Sequence, residues 1–274
     1  MLKSFFEFEF MQMALISGIF ISILSGVLGA FIVQRKMSFL GSGLSHSALG
    51  GVGLGILLGV EPIFIILPFV LLMATAIFFI QEKTNLAIDT SIGIISSASV
   101  ALGVVFISLK SGYSYDAYSY LFGSILAISK YDTILISILT IAILIIIGKF
   151  WKNLAYSTFD KELAISDGVK VVRDNYLLIL LIAIFIAIAI KLIGIILTSA
   201  FLVLPAAIAK IFSKTFFQVT VFGVLISTIT TVLGLFISFY INFPSGATII
   251  LLQTIFFVVF LLFQKLIFLK ISKK

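Results

Sequence analysis

The residues best placed to do chemistry lie in one stretch, Arg35 to Gly59, RKMSFLGSGLSHSALGGVGLGILLG. It contains the single histidine of the chain, His46, with serines at Ser42, Ser45 and Ser47 and glycines at Gly50, Gly51, Gly53, Gly55 and Gly59. A neutral imidazole is the commonest metal ligand and suits zinc. Ser42 precedes His46 by one helical turn, so hydroxyl and imidazole would project from one face. One imidazole does not hold a metal alone, but two copies facing each other across a dimer axis would form a weak site that an ion passes through. The other reading is a histidine that donates to a nearby carbonyl and binds nothing.

Depth raises the first reading to equal weight with the second. If Arg35 and Lys36 mark a membrane surface, a rise of about 1.5 Å per residue puts His46 about 15 Å further in. A hydrocarbon core is about 30 Å thick, so the ring lies near its centre. An ionisable group there is costly and reads first as functional.

The composition requires a membrane. Of 274 residues, 62% are hydrophobic and 11% charged, against about 25% charged in a soluble domain. Apolar runs of spanning length recur throughout. The fold class is all-α, a polytopic transmembrane helical bundle of about eight or nine spans. No room is left for a soluble domain, so residues 1–274 form one transmembrane domain. The chain has no cysteine, which excludes thiolate ligands and disulfides. Its formal charge of +7 is a topology signal, not a nucleic-acid footprint. The N-terminal MLKSFFEFEF, with Glu7 and Glu9, is not a basic leader, and the first apolar run reads as retained.

The spans are expected at about Met11–Val33, the His46 stretch, Pro62–Ile80, Thr90–Leu109, Thr133–Gly148, Leu177–Ile190, Leu192–Ala209, Phe216–Tyr240 and from Ala247 to Leu269. The tyrosine-rich connection Lys110–Ser124 suits an amphipathic piece at the interface, where tyrosine is favoured. Cations crowd the odd boundaries, Arg35, Lys36, Lys83, Lys149, Lys152 and Lys210 among them. The positive-inside rule then places the loop at about 150–175 and the C-terminus in the cytoplasm, and the N-terminus outside.

Other motifs carry less. The glycines after His46 match neither G-x-G-x-x-G nor a P-loop, so the chain has no ATP site of its own and is not an enzyme. They read as close helix packing. In FDKELAISDGV, Asp160 suits the cap of a short helix through Glu162 and Leu163, with Gly168 at its end. That helix is either a knob for a soluble partner or a solvated linker. Pro205 should bend its span, and broken helices line pathways in transporters. Lys191 either meets a carboxylate or snorkels outward, and snorkelling is favoured. Asp89 is either an anion at a helix start, the favoured reading, or a pathway acid.

RKMSFLGSGLSHSALGGVGLG, FDKELAISDGV through KLIGIILTSAFLVLPAAIA, and INFPSGATIILL together resemble the membrane permease of ATP-binding-cassette importers for zinc, manganese and iron. DTSIGI and YLFGSIL extend the resemblance over nearly the whole chain. It implies a type II ABC importer permease fold, working as a homodimer with cytoplasmic ATPase subunits and an extracytoplasmic metal-binding protein. It also implies a multi-pass place in the cytoplasmic membrane and no permanently bound cofactor, the metal being substrate. The Asp160–Gly168 helix would dock into the ATPase, and His46 would be a transit ligand. Members often have an aspartate where this chain has Ser42. Without that carboxylate, the donor set leans from manganese toward zinc. An ion-gradient-driven transporter is the rival class, and it would need midplane carboxylates that this chain scarcely offers.

Overall fold

The computed structural model describes residues 7–84, 86–110, 120–124 and 128–271, with 266–271 by backbone alone. The described residues form α1 (Glu9–Gln34), α2 (Ser38–Leu58), α3 (Pro62–Lys83), α4 (Ile88–Leu109), α5 (Lys130–Phe159), α6 (Lys161–Ser166), α7 (Val171–Ile193), α8 (Ile195–Phe212), α9 (Phe216–Ile241) and α10 (Ser245–Ile271). Among them, eight helices are long and apolar enough to cross a membrane. The helix of similar length that falls short is α2, whose serines, glycines and His46 dilute its apolar content. It is sheltered by other helices instead. The expected count of eight or nine therefore resolves into eight apolar helices plus one that the bundle encloses.

Enclosure depends on glycine. Between helices in lipid there is little hydrophobic driving force, so association relies on close contact at small residues. A Cβ on Gly53 would lie 2.5 Å from the Gly103 carbonyl oxygen of α4, and one on Gly51 would lie 2.9 Å from Cα of Ile66 in α3. On α1, a Cβ on Gly26 would meet the Val224 backbone of α9, and one on Gly29 the Leu202 carbonyl of α8. These helices meet backbone to backbone. The interior they enclose is led by Phe31, Phe185 and Phe201. At its centre runs α7, with 78% of its apolar window buried, whereas α4, with 17%, lies at the rim.

One feature differs from expectation. The charged segment after Gly148 continues α5 to Phe159, because Leu154 and Ser157 keep one face against the bundle. Pro205 lies buried inside the single helix α8. Its missing N–H frees the Phe201 carbonyl one turn back, and that oxygen accepts the Ser25 hydroxyl of α1 at 2.6 Å. Tyr113, Tyr115, Tyr118 and the interfacial piece proposed for them lie outside the described residues.

The bundle has a basic end and an opposite end. At the opposite end Lys191, on the last turn of α7, does not snorkel. Its Nζ donates to Asp132 Oδ2 at 2.7 Å and Glu61 Oε1 at 2.9 Å. Asp132 is held in turn by a capping box with Ser129 at the start of α5. A desolvated ammonium requires a desolvated counter-ion, and the triad ties together the ends of α2–α3, α5 and α7.

Both kinds of constraint are measurable by thermal unfolding in detergent. Gly53→Ala should cost about 1–3 kcal/mol through overpacking. Gly93→Ala, whose Cβ would meet nothing within 4 Å, should be neutral or stabilising by roughly 0.5–1 kcal/mol. Equal losses at both positions would contradict the backbone-contact reading. Lys191→Met strands the buried Asp132 carboxylate and should cost about 3–5 kcal/mol. Glu61→Gln, at a half-exposed carboxylate, should cost less than about 1 kcal/mol.

Candidate functional site

From Leu40 to Gly53 every residue of α2 is buried except Ser42, His46 and Leu49. Their spacing of four and three residues makes one helical stripe. The rest of this stretch is walled. Gly41 abuts Leu202 and Ser199 of α8, Gly43 abuts Ile92 of α4, and Gly51 abuts α3. Ser45 and Ser47, which point into those walls, satisfy themselves on the Gly41 and Gly43 carbonyls at 2.8 Å. Of the polar groups on this stretch, the imidazole and the Ser42 hydroxyl are left uncovered.

His46 is the ninth residue of α2, about 12 Å from Ser38 along the axis at 1.5 Å per residue. It is exposed on the surface of the single chain. Its Nδ1 lies 3.4 Å from Ser42 Oγ, a long hydrogen bond. That contact occupies Nδ1 and leaves Nε2 as the other ring nitrogen of an exposed side chain. Two turns beyond His46, the stripe ends where Gly53 packs against Gly103 of α4. Among the described residues no three His, Asp or Glu side chains gather closely enough to hold a metal ion. The donors offered by one chain are therefore one imidazole nitrogen and one hydroxyl.

At the basic end, α6 forms a compact knob. Asp160 Oδ1 accepts the Leu163 amide at 2.9 Å, which caps the helix. Gly168, at φ +81°, turns the chain out of it. Val169 N–H returns to the Ala164 carbonyl at 2.9 Å, and Tyr156 of α5 donates to Asp167. Ala164 is buried beneath the knob, while Leu163 and Ile165 expose 54% and 53% of their surface and Glu162 is exposed beside them. Leu163 and Ile165, two positions apart, present their apolar side chains on different sides of this six-residue helix.

The remaining sequence candidates lie apart from His46. Asp89 is exposed in the first turn of α4, where an anion favours the helix dipole. Lys191 belongs to the triad at the opposite end, and Pro205 to the α1–α8 contact.

Arg35 was legible only as a boundary cation. Its Nε donates to Thr158 Oγ1 at 2.8 Å, and Nη2 donates to the Leu154 carbonyl and Ser157 Oγ, both at 3.0 Å. Nη1 donates to Asn175 Oδ1 at 2.5 Å. Burial pushes this guanidinium down to about 10, while the charge of Asp174 acts to raise it, so it stays protonated at neutral pH. Its partners lie 119 to 140 residues away in the chain, and no local pattern announces them.

The chain matches known proteins along nearly its whole length. The model of the ABC 3 transport family matches residues 7–264. The high-affinity zinc uptake system membrane protein ZnuB of Haemophilus influenzae is 35% identical over 251 residues, covering 92% of this chain and 96% of that protein. The manganese transport system membrane protein MntC of Listeria monocytogenes is 34% identical over 273 residues, covering 100% of this chain and 97% of that one. Among solved structures, PsaBC from Streptococcus pneumoniae in complex with Fab superposes with a TM-score of 0.84 at 34% identity, covering 95% of each chain. With its walled, histidine-bearing helix and its all-helical fold, the chain belongs to the ABC 3 transport family.

Proposed function

We propose that this chain is the permease subunit of an ATP-driven importer that carries a divalent metal ion, zinc, across the cytoplasmic membrane. The observation that carries the reading is the stripe of Ser42 and His46, the only uncovered side of α2 between Leu40 and Gly53. A polar group this deep is costly against lipid and calls for a partner surface. A second copy of the chain, stripe facing stripe, would cover it and bring two imidazoles together. Two imidazoles with hydroxyls make a weak, nitrogen-rich site suited to zinc in transit. A bare divalent ion could not cross without such ligands or water.

The basic end would be cytoplasmic by the positive-inside rule, which puts the N-terminus outside and the C-terminus inside. There α6 would dock into an ATPase subunit through Leu163 and Ile165, with Asp160 and Gly168 holding its shape and Glu162 at its edge. An extracytoplasmic metal-binding protein would deliver the ion at the opposite end, near the Lys191 triad. Manganese is the second reading, favoured by the full-length similarity to the manganese permease MntC. The lack of a carboxylate at Ser42 weighs against it.

The test is uptake of radiolabelled zinc and manganese in competition, in vesicles holding the reconstituted complex. Zinc should be taken up in preference and only with ATP. His46→Ala should lower the rate by about ten-fold or more in a complex that assembles normally. Leu163→Asp should abolish co-purification with the ATPase while leaving the permease folded. Full-rate uptake by His46→Ala would overturn the transit site, and preference for manganese would overturn the zinc assignment.

A further inference from the structure

We infer that Arg35 is a positioning residue that locks both roots of the α6 loop to the corner leading into α2, so that a push on α6 reaches the helix carrying His46. The inference deepens the importer reading and rests on it for its functional meaning. The geometry itself is independent of that reading.

Residues 160–170 connect α5 to α7 and carry α6. One root, the end of α5, gives Arg35 three acceptors, the Leu154 carbonyl and the hydroxyls of Ser157 and Thr158. The other root, the first turn of α7, gives it Asn175 Oδ1. A single planar fork thus spans the base of the loop. Arg35 itself caps α1, and α2 begins at Ser38. The corner between them is tight. Lys36 sits at φ +57°, a conformation uncommon for a non-glycine residue, and Met37 N–H bonds back to the Ile32 carbonyl at 3.0 Å. No slack separates the guanidinium from the start of α2.

The surroundings keep the lock stiff. Phe31, one turn before Arg35 on the same face, packs edge-on against Trp151 of α5 and Phe216 of α9, with centroids 5.4 and 5.0 Å apart. This aromatic cluster lowers the local dielectric, which strengthens directional hydrogen bonds and makes stretching them costly. Asp174, fully buried in the first turn of α7, adds the counter-charge. Arg173 holds its Oδ1 at 2.8 Å, and its Oδ2 has no hydrogen-bond partner among the described residues. Packing of Phe31 on Trp151 would hold α1 to α5 without the arginine, so the fold should survive its replacement. What packing lacks is direction, because greasy surfaces slide where a forked set of hydrogen bonds does not. Lysine cannot substitute, since a compact ammonium cannot reach two roots at once.

The first experiment compares Arg35→Lys with the unaltered complex in vesicles, measuring ATP hydrolysis and zinc uptake together. Hydrolysis should stay within about two-fold while uptake falls about ten-fold, with the KM for zinc unchanged. A parallel fall in both rates, or no fall in either, would overturn the inference. Should Arg35→Lys fail to accumulate, Asn175→Leu removes one root alone and should give the same split, about three-fold in uptake. An unchanged ratio of uptake to hydrolysis in that variant would overturn it equally.

The second experiment needs neither partner nor transport. The cysteine-free chain accepts spin labels at Phe39→Cys, in α2, and Lys161→Cys, in α6. In lipid discs the distance distribution between them should be narrow with Arg35 and clearly broader with Arg35→Lys. Identical distributions would overturn the lock. If the unaltered complex shows no ATP-driven uptake but the distribution broadens as expected, the importer reading fails and the lock stands.

Discussion

Backbone contact at glycine is the constraint on which this bundle depends. The α2 helix is too polar to face lipid on all sides and too deep to face water. It is tolerated because Gly41, Gly43, Gly50, Gly51, Gly53 and Gly55 let α3, α4 and α8 close on it until almost nothing of it is left open. Between Leu40 and Gly53 the stripe of Ser42, His46 and Leu49 is what remains. The glycines that read in the sequence as close helix packing do that task, and the packing decides which side chain is presented. The exposure of His46 follows from the walls around it.

The two ends of the bundle are held by charge, in different ways. The triad of Lys191, Asp132 and Glu61 joins helix ends where Glu61 is still half exposed. It fixes these helix ends while leaving one carboxylate half in contact with its surroundings. At the basic end Arg35 gathers four residues from two helices, backed by an aromatic cluster. Hydroxyls also bond across helices, Ser22 to Thr231 at 2.8 Å in the middle of the bundle and Ser17 to Thr133 at 3.0 Å beside the triad. Such contacts are modest individually in a membrane. They align helices without adding much to the bundle's stability.

Much of this was legible in the sequence because membrane helices are written in composition. The long apolar helices, the cap at Asp160 and the exit at Gly168 each depend on residues close together in the chain, and local rules reach them. Position relative to distant segments is another matter. Nothing around Lys191 tells whether it finds Asp132, 59 residues earlier, or the headgroups. The Phe201 carbonyl freed by Pro205 could be anticipated, but not that Ser25 would answer it across 176 residues. Arg35 counted as a topology signal because an exposed cation and a buried clamp look alike in one dimension. The charged segment after Gly148 read as a loop because its buried face is only Leu154 and Ser157 wide.

The central claim is that the Ser42–His46 stripe lines the path of the transported ion. Leu49→Cys places a thiol on that stripe, one turn from the imidazole, in a chain with no other cysteine. The rate at which a small water-soluble thiol reagent modifies it in the assembled complex, with and without zinc, is the most direct measurement. Zinc should slow the reaction when His46 is present and have no effect in His46→Ala. Modification that ignores zinc in the His46 protein would contradict the claim, as would protection that persists without the histidine.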